Sequence, residues 1–321
     1  MYLKIMDISE RKGNIMTKKK KYGKVQVKNF KWIYAFLLPT IIIFVMFYVQ
    51  PIVVMLTTSF TKWDGFNDPA FNGISNYIKL FTNSASAASI KNLHQLEELA
   101  TMGVDYAAVP YALYMKSLEH SLTTSGAEKF KEDWEKLFMI PNIISAAAWA
   151  LIYRFIFNDQ MGVLNSVIRV FNKDFSVQWF YQSPYAFWAV TLTWLFYAVI
   201  VTLIVLNDLM AIPKELIEAA KLDGANGWQL IRFVELPLCR ISIGTGMLCS
   251  ITSRISMYEA IALTTAGGPG DDTMSLSVLL VRAITDYNYG FANAIGVIMF
   301  LIGLLVMYIV TKAFRMNDSI Y

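Results

Sequence analysis

The chain reads Glu-Ala-Ala-Lys-Leu-Asp-Gly-Ala-Asn-Gly-Trp-Gln-Leu-Ile-Arg-Phe-Val-Glu-Leu-Pro at residues 218–237, a polar, helix-forming stretch between two hydrophobic segments. Pro213 suits the first turn of a helix, and Glu215 near that helix N-terminus complements the helix dipole. Gly224 permits a turn with positive φ or the close approach of a partner. The stretch therefore predicts a helix, a tight turn and a return to the next hydrophobic segment.

The composition of the whole chain indicates a membrane protein. Of its 321 residues, 56% are hydrophobic and 16% are charged, whereas a soluble domain is about one quarter charged. The lysines between Lys18 and Lys31 precede the first apolar run, and the positive-inside rule places such a basic segment in the cytoplasm. The same rule explains the cluster without a nucleic-acid partner. The predicted fold class is an all-α polytopic membrane protein in contact with membrane lipid.

Five segments are predicted to span the bilayer, since a helix needs about 20 residues to cross about 30 Å of hydrocarbon. The fourth of them carries Arg254 and Glu259. Charges within a membrane are costly and face a cavity or a partner, so these two side chains either line a translocation pathway or help this span to pack against another subunit. The five predicted spans are Trp32–Thr58, Met139–Phe157, Tyr185–Leu206, Pro237–Ala262 and Phe291–Val310.

Residues 85–137 have a different character, because charged residues recur along them. Helical periodicity runs from Asn92 to Met102, and Val104 to Val109 is predicted as a short strand. Two further helices are predicted, Tyr111–Glu119 and Thr124–Leu137. This alternation is typical of soluble α/β folds, so the segment is predicted to be an atypical soluble α/β-like insert.

Chemistry-bearing motifs are sparse. The run Gly267 to Gly270 is not a phosphate loop, since it lacks the GK[ST] ending. His94 and His120 are isolated in the sequence, and Cys239 and Cys249 do not form a CxxC pair, so neither a metal site nor a disulfide framework is predicted. No cofactor is expected.

Most of the chain resembles the permease subunits of carbohydrate-uptake ABC importers, those for oligosaccharides and sn-glycerol 3-phosphate. The match covers residues 30–84 and 138–316. The motifs that carry it, besides the stretch 218–237, are Leu37-Leu38-Pro39, Ser59 to Gly65, Gly73 to Tyr77, Ile140 to Trp149, Arg154 to Asn158, Gly162 to Asn165 and Leu263 to Gly270.

The resemblance implies a coupling loop over residues 211–237 that sits in a groove of the ATPase and carries its closure to the membrane helices. It also implies four kinds of partner: ABC ATPase subunits, a second permease subunit, an extracellular solute-binding protein and membrane lipid. No catalytic residue is implied. The coupling residues it implies are Glu218, Ala219, Ala220, Asp223, Gly224, Leu236 and Pro237.

A second resemblance is confined to residues 86–137, which are similar to the C-terminal end of small transaldolases and fructose-6-phosphate aldolases. Gly103 to Pro110 resembles their last barrel strand, and Ser121 to Trp134 their terminal helix. The strand that carries their Schiff-base lysine is absent, and a fragment cannot close a barrel. The alternatives to a permease are therefore an aldolase-like enzyme fragment or a non-functional fusion of the two.

The two resemblances conflict over topology. The permease family has six spans, whereas five are predicted here, and five would place the coupling loop on the side opposite to the ATPase. The predicted organisation is a basic N-terminus (1–31), the first span and its loop (32–84), the insert (85–137), the permease core (138–316) and a tail (317–321).

Overall fold

The computed structural model describes residues 30–102, 109–110, 112–113, 116, 136, 143–193 and 199–317. Contacts divide the chain into two units, residues 1–52 and residues 53–321. The described residues are mainly helical and include one small two-stranded sheet. The all-α class predicted from the apolar runs is confirmed for this part of the chain.

The first predicted span is helical over its described length. Helix α1 covers Phe30–Phe44, a π-helical turn follows at Val45–Val49, and α2 covers Gln50–Thr58. The stretch Tyr34–Thr58 has 25 residues and is apolar enough to cross a membrane. Its uniform apolar character explains why this span is predictable from sequence.

A short hairpin follows the first span. Strand β1 (Thr61–Lys62) pairs antiparallel with β2 (Ala70–Phe71). Within the turn, the backbone N–H groups of Asn67 and Phe66 donate to Asp64 Oδ1 at 2.9 and 3.0 Å. These hydrogen bonds stabilise the carboxylate and hold the pKa of Asp64 below its usual value.

The hairpin lies against the start of the last helix, α15 (Tyr289–Ala313). The Gly290 N–H donates to the Trp63 carbonyl at 3.2 Å, and the rings of Trp63 and Tyr289 have centroids 5.6 Å apart. A Cβ at position 290 would lie 2.0 Å from the Thr61 carbonyl oxygen. The absence of a side chain at Gly290 is therefore what lets these two backbones meet.

The described part of residues 85–137 does not support a soluble α/β-like insert. Helix α3 covers Ser75–Thr82 and α4 covers Ser84–Met102. Val109 and Pro110, where the short strand was predicted to end, are helical, and Val104 to Ala108 lie outside the described residues. The helix predicted from Asn92 to Met102 is confirmed, but α4 begins eight residues earlier and packs against other helices of the protein.

Asn92 shows why α4 belongs to the helical core. Its side chain is buried, and its amide donates to the carbonyls of Asp271 and Met274, each at 3.0 Å. Ser86 and Ser89 on the same helix are also buried. The buried amide of Asn92 thus ties α4 to the loop before the last helices.

Replacement of Asn92 by leucine is expected to lower the midpoint of thermal unfolding in detergent. The two carbonyls would lose a buried donor, and each such loss costs about 1–3 kcal/mol. Lys91→Leu is the matched control, because Lys91 is the exposed neighbour on the same helix. Equal midpoints for the two variants would contradict the structural role of Asn92.

The rest of the chain is built from helices of very different length. Their bounds are α5 Ala146–Ile156, α6 Val163–Arg169, α7 Tyr185–Leu192, α8 Val199–Ala211, α9 Lys214–Leu222, α10 Gly227–Leu230, a π-helical turn Ile231–Glu235, α11 Leu236–Leu238, α12 Arg240–Ile255, α13 Glu259–Ala262, α14 Leu276–Thr285 and α15 Tyr289–Ala313.

Among the described residues, two helices are long and apolar enough to span a membrane, Tyr34–Thr58 and Tyr289–Ala313. A third is added if the bent pair Gly227–Leu238 and Arg240–Ile255 is counted as one span. The second predicted span contains the shorter helix α5, and the third contains α7 and most of α8. Residues 139–142 and 194–198 of those two spans lie outside the description.

The fourth predicted span is wrong at its end. Helix α12 stops at Ile255 instead of continuing to Ala262. The hydroxyl of Ser277 donates to the Ile255 carbonyl at 2.7 Å, and that of Ser275 donates to the Met257 carbonyl at 3.3 Å. These serines satisfy carbonyls at the helix end, which lets the backbone leave the helix within the protein interior.

Candidate functional site

The loop between α8 and α12 contains the predicted helix, but Pro213 directly precedes that helix instead of lying in its first turn. Pro213 is extended, with ψ of 133°, and α9 begins at Lys214. Glu215 lies in the first turn of α9 and Lys221 in the last turn, which is the arrangement of charge that a helix dipole favours. Glu218 and Ala219 are exposed and Ala220 is half-buried.

The turn after α9 has the hydrogen bonds of a Schellman motif. The Ala225 N–H donates to the Ala220 carbonyl and the Gly224 N–H to the Lys221 carbonyl, both at 3.0 Å. Gly224 has φ of +86°, so the predicted positive φ is confirmed. Other residues adopt this conformation at a cost of about 1–2 kcal/mol, which explains why the turn needs glycine.

Helix α10 begins with a capping box that the sequence analysis missed. The Gln229 N–H donates to Asn226 Oδ1 and the Asn226 N–H donates to Gln229 Oε1, both at 2.9 Å. The spacing of a short polar residue and a glutamine three positions later was visible in the sequence. The box fixes the direction in which α10 leaves the turn, and hence the position of Trp228.

The loop exposes apolar side chains on an otherwise polar surface. Leu222 is 89% exposed and Trp228 is 70% exposed. Exposed apolar groups ringed by polar residues mark protein interfaces. Trp228 is thus available as an apolar anchor for a partner, whereas Leu230 is half-buried and belongs partly to the fold. The exposed apolar set of the loop is Leu216, Leu222, Trp228 and Phe233.

The end of the loop turns inward. Leu236 is half-buried and packs against a buried cluster that includes Val205 and Cys239, while Pro237 is exposed in α11. The helical stretches Gly227–Leu238 and Arg240–Ile255 meet at 69°. The predicted coupling residues therefore lie together in one loop, with Leu236 directed to the core and the others at or near its surface.

Arg254 and Glu259 do not lie on one continuous helix, contrary to the prediction of a single fourth span. Arg254 is half-buried in the last turn of α12, and Glu259 is the exposed first residue of α13. Residues 256–258 separate the two helices. The structure thus places both side chains at a break in the helix instead of on one helical face.

Metal and disulfide chemistry find no support in the part of the chain that the structure describes. No group of three His, Cys, Asp or Glu residues there could hold a metal ion. Cys239 is buried and Cys249 is exposed, and both are free. The side chain of His94 and all of His120 lie outside the described residues.

Comparison with known proteins gives consistent matches over the whole fold. The family described as binding-protein-dependent transport system inner membrane component matches residues 135–316. A probable ABC transporter permease protein of Bacillus subtilis, YesP, is 30% identical over 87% of this chain and 89% of its own length. The multiple sugar-binding transport system permease protein MsmF of Streptococcus mutans is 28% identical over 86% of this chain and 93% of its own.

A solved structure shares the fold. A chain from the crystal structure of a bacterial ABC transporter that imports the acidic polysaccharide alginate superposes with a TM-score of 0.74 and 21% identity. The superposition covers 91% of this chain and 98% of that one.

Proposed function

Because the chain belongs to the family of binding-protein-dependent transport system inner membrane components, we propose that it is the permease subunit of an ABC importer for a carbohydrate or glycerol-phosphate. Members of this family are membrane subunits and not enzymes. The sugar cargo is supported by relatives whose names refer to multiple sugars, trehalose and maltose, and diacetylchitobiose. A solute-binding protein and separate ATPase subunits complete the proposed transporter.

The observation that carries the proposal is the geometry of the loop 211–237. A surface helix, a glycine turn and a capped short helix hold four exposed apolar side chains in place. We assign Glu218, Ala219, Ala220, Asp223 and Gly224 to the surface that meets the ATPase. We assign Leu236 and Pro237 to the joint that carries its movement into α12.

Residues 84–116 are proposed to take the place of the second span of the family. Helix α4 packs against α12 and α14, and Val109 and Ala112 belong to a buried cluster with residues of α8 and α12. The alignments with YesP and MsmF cover 87% and 86% of this chain. Added to the five spans predicted from the sequence, a crossing in this region would make six and would put the loop 211–237 on the same side as the N-terminus.

The resemblance of residues 86–137 to transaldolases finds no support in the comparisons, all of which point to permeases. The described residues of the segment are helical, and α4 packs against α12 and α14. An aldolase-like activity is therefore not proposed.

The test of the function is uptake by a deletion strain with and without the wild-type gene. Radiolabelled maltose, diacetylchitobiose, raffinose and sn-glycerol 3-phosphate would be supplied separately, with glucose as a control for general metabolism. We expect complementation to restore uptake of at least one of the four. A tagged chain isolated from membranes should also bring down ATPase subunits, and a chain that restores no uptake and binds no ATPase would contradict the proposal.

Glu259 and Arg254 are proposed to line the path of the cargo at the break after α12. Glu259→Gln is expected to raise the KM for uptake about ten-fold with little change in the amount of protein, because a hydrogen bond to a charged group contributes about 1.5–3 kcal/mol. Asp286→Asn is the control, since Asp286 is an exposed carboxylate after α14. A KM that changes equally in both variants would argue against a place for Glu259 in the pathway.

A further inference from the structure

A buried ion pair joins Lys116 to the coupling loop. The Lys116 Nζ lies 2.7 Å from Glu235 Oε1, and the exposed fractions of the two side chains are 20% and 7%. A carboxylate at this depth is strongly destabilising unless a partner charge or hydrogen bonds compensate it. Lys116 therefore compensates the cost of burying the Glu235 carboxylate at this position.

Glu235 lies where the loop turns into α12. It is the last residue of the π-helical turn Ile231–Glu235, and its carbonyl accepts a hydrogen bond of 3.0 Å from the Cys239 N–H. The bend of 69° between Gly227–Leu238 and Arg240–Ile255 comes shortly after this residue in the chain. Short π-helical turns occur frequently at functional positions, and here both the main chain and the side chain of Glu235 take part in the bend.

A second polar contact holds the other arm of the loop. The Ser242 hydroxyl in α12 donates to the carboxylate of Asp208 in the last turn of α8. This contact thus joins α8 to α12, and the contact of Lys116 with Glu235 ties the returning arm to residue 116. Buried apolar side chains pack near the two contacts: Val109, Ala112, Val205, Leu209, Cys239 and Ile243.

We propose that Lys116 is a positioning residue of the coupling mechanism. By neutralising Glu235 it fixes the bend between α11 and α12, so that a displacement of α9 by the ATPase reaches α12 instead of being absorbed at the bend. The segment that departs most from the family pattern thereby supplies a part of the coupling path. This inference rests on the proposed function, because it presupposes that an ATPase docks on the loop.

The first experiment measures the bend directly through Cys239. The chain has two cysteines, so Cys249→Ser leaves Cys239, which is 1% exposed, as the single thiol. In native membranes, N-ethylmaleimide is expected to label Cys239 about ten-fold faster in Lys116→Met and in Glu235→Gln than in the parent, because local opening becomes easier. Lys116→Arg and the exchange of both charges, Lys116→Glu with Glu235→Lys, should label as slowly as the parent.

A second readout separates positioning from simple stability. The complex isolated through a tag on the chain would be assayed for bound ATPase, ATP hydrolysis and the change in Cys239 labelling caused by ATP with orthovanadate. We expect Lys116→Met to keep its ATPase and at least about half of the hydrolysis rate, while the nucleotide-dependent change in labelling is lost. The double charge exchange is expected to restore that change. Lys173→Met, which alters an exposed lysine in another loop, should behave as the parent throughout.

Two outcomes would overturn the inference. One is a Cys239 labelling rate that is unchanged in both Lys116→Met and Glu235→Gln. The other is a labelling rate in the double exchange and in Lys116→Arg that is as fast as in Lys116→Met. A wild-type complex without any ATPase would instead contradict the proposed function. The labelling comparison in membranes needs no ATPase, so these two failures are distinguishable.

Discussion

Exchange of Leu222 and Trp228 for aspartate is expected to release the ATPase from the complex and to abolish uptake. Both side chains are largely exposed in the chain by itself, at 89% and 70%. Burial of such a side chain in a partner contributes about 1.5–3 kcal/mol, and a change of about 1.4 kcal/mol alters binding ten-fold. The amount of ATPase that co-purifies should therefore fall about a hundred-fold for the double variant, and each single variant should lie between it and the wild type.

The control for this prediction is Phe171→Asp, which alters an aromatic side chain that is 90% exposed but lies outside the loop 211–237. It introduces the same new charge without touching the proposed docking surface, so ATPase binding should be kept. The measurement is an immunoblot of the ATPase recovered with a tagged chain. Equal losses in the control and the loop variants would mean that surface charge alone disturbs the complex, and the docking surface would have to be sought elsewhere.

Gly290→Ala is expected to prevent stable accumulation of the protein in the membrane. The new Cβ would lie 2.0 Å from the Thr61 carbonyl oxygen and 3.2 Å from the Trp63 nitrogen. Both are main-chain atoms, which cannot give way as a flexible side chain can. The clash would force α15 and the hairpin apart and would cost about 3 kcal/mol, the upper part of the range for overpacking, a large share of the stability of a typical domain.

Gly303→Ala is the matched control, because Gly303 lies in the same helix and no heavy atom lies within 4 Å of an added Cβ there. Alanine is favoured over glycine inside a helix by about 1 kcal/mol, so this variant should accumulate at least as well as the wild type. The level in isolated membranes and the melting midpoint in detergent are the two measurements. Similar values for both variants would refute the close contact at Gly290.

The parts that the sequence predicts well are those where one physical signal dominates. The stretch Tyr34–Thr58 and helix α15 are uniformly apolar over more than the length of a bilayer crossing, so their existence follows from hydropathy. The turn at Gly224 follows from the conformational freedom of glycine, and the start of α9 from Pro213. The exposed position of Trp228 does not follow from the sequence pattern alone, since it depends on the capping box that orients α10.

Charge and polarity along residues 85–137 predict exposure to water, and the described part of this segment does not support that prediction. Asn92 shows the physical reason for the error, since its polar amide is buried and serves two carbonyls of a distant loop. Lys116 shows it again, because its ammonium group forms an ion pair with the buried carboxylate of Glu235. The partners of both residues are more than a hundred positions away in the chain, and no local pattern reveals them.

The region after α12 was missed for a different reason. Helix α14 has 10 residues, too few to give the signal of a membrane span, although Ser275 caps it and its apolar residues recur at helical spacing. Its neighbour α12 ends early because Ser277 and Ser275 bind the carbonyls of Ile255 and Met257. Such a helix end depends on contacts between elements, and the hydropathy of the sequence does not reveal it.

The contact between Asn92 and the carbonyls of Asp271 and Met274 bears on biosynthesis. The hydrogen bonds join residues 179 and 182 positions apart, so a nascent chain that has reached only α12 offers the Asn92 amide neither acceptor. Both acceptors of this buried amide are therefore available only after about six-sevenths of the chain has been synthesised, and the final packing of α4 is completed late.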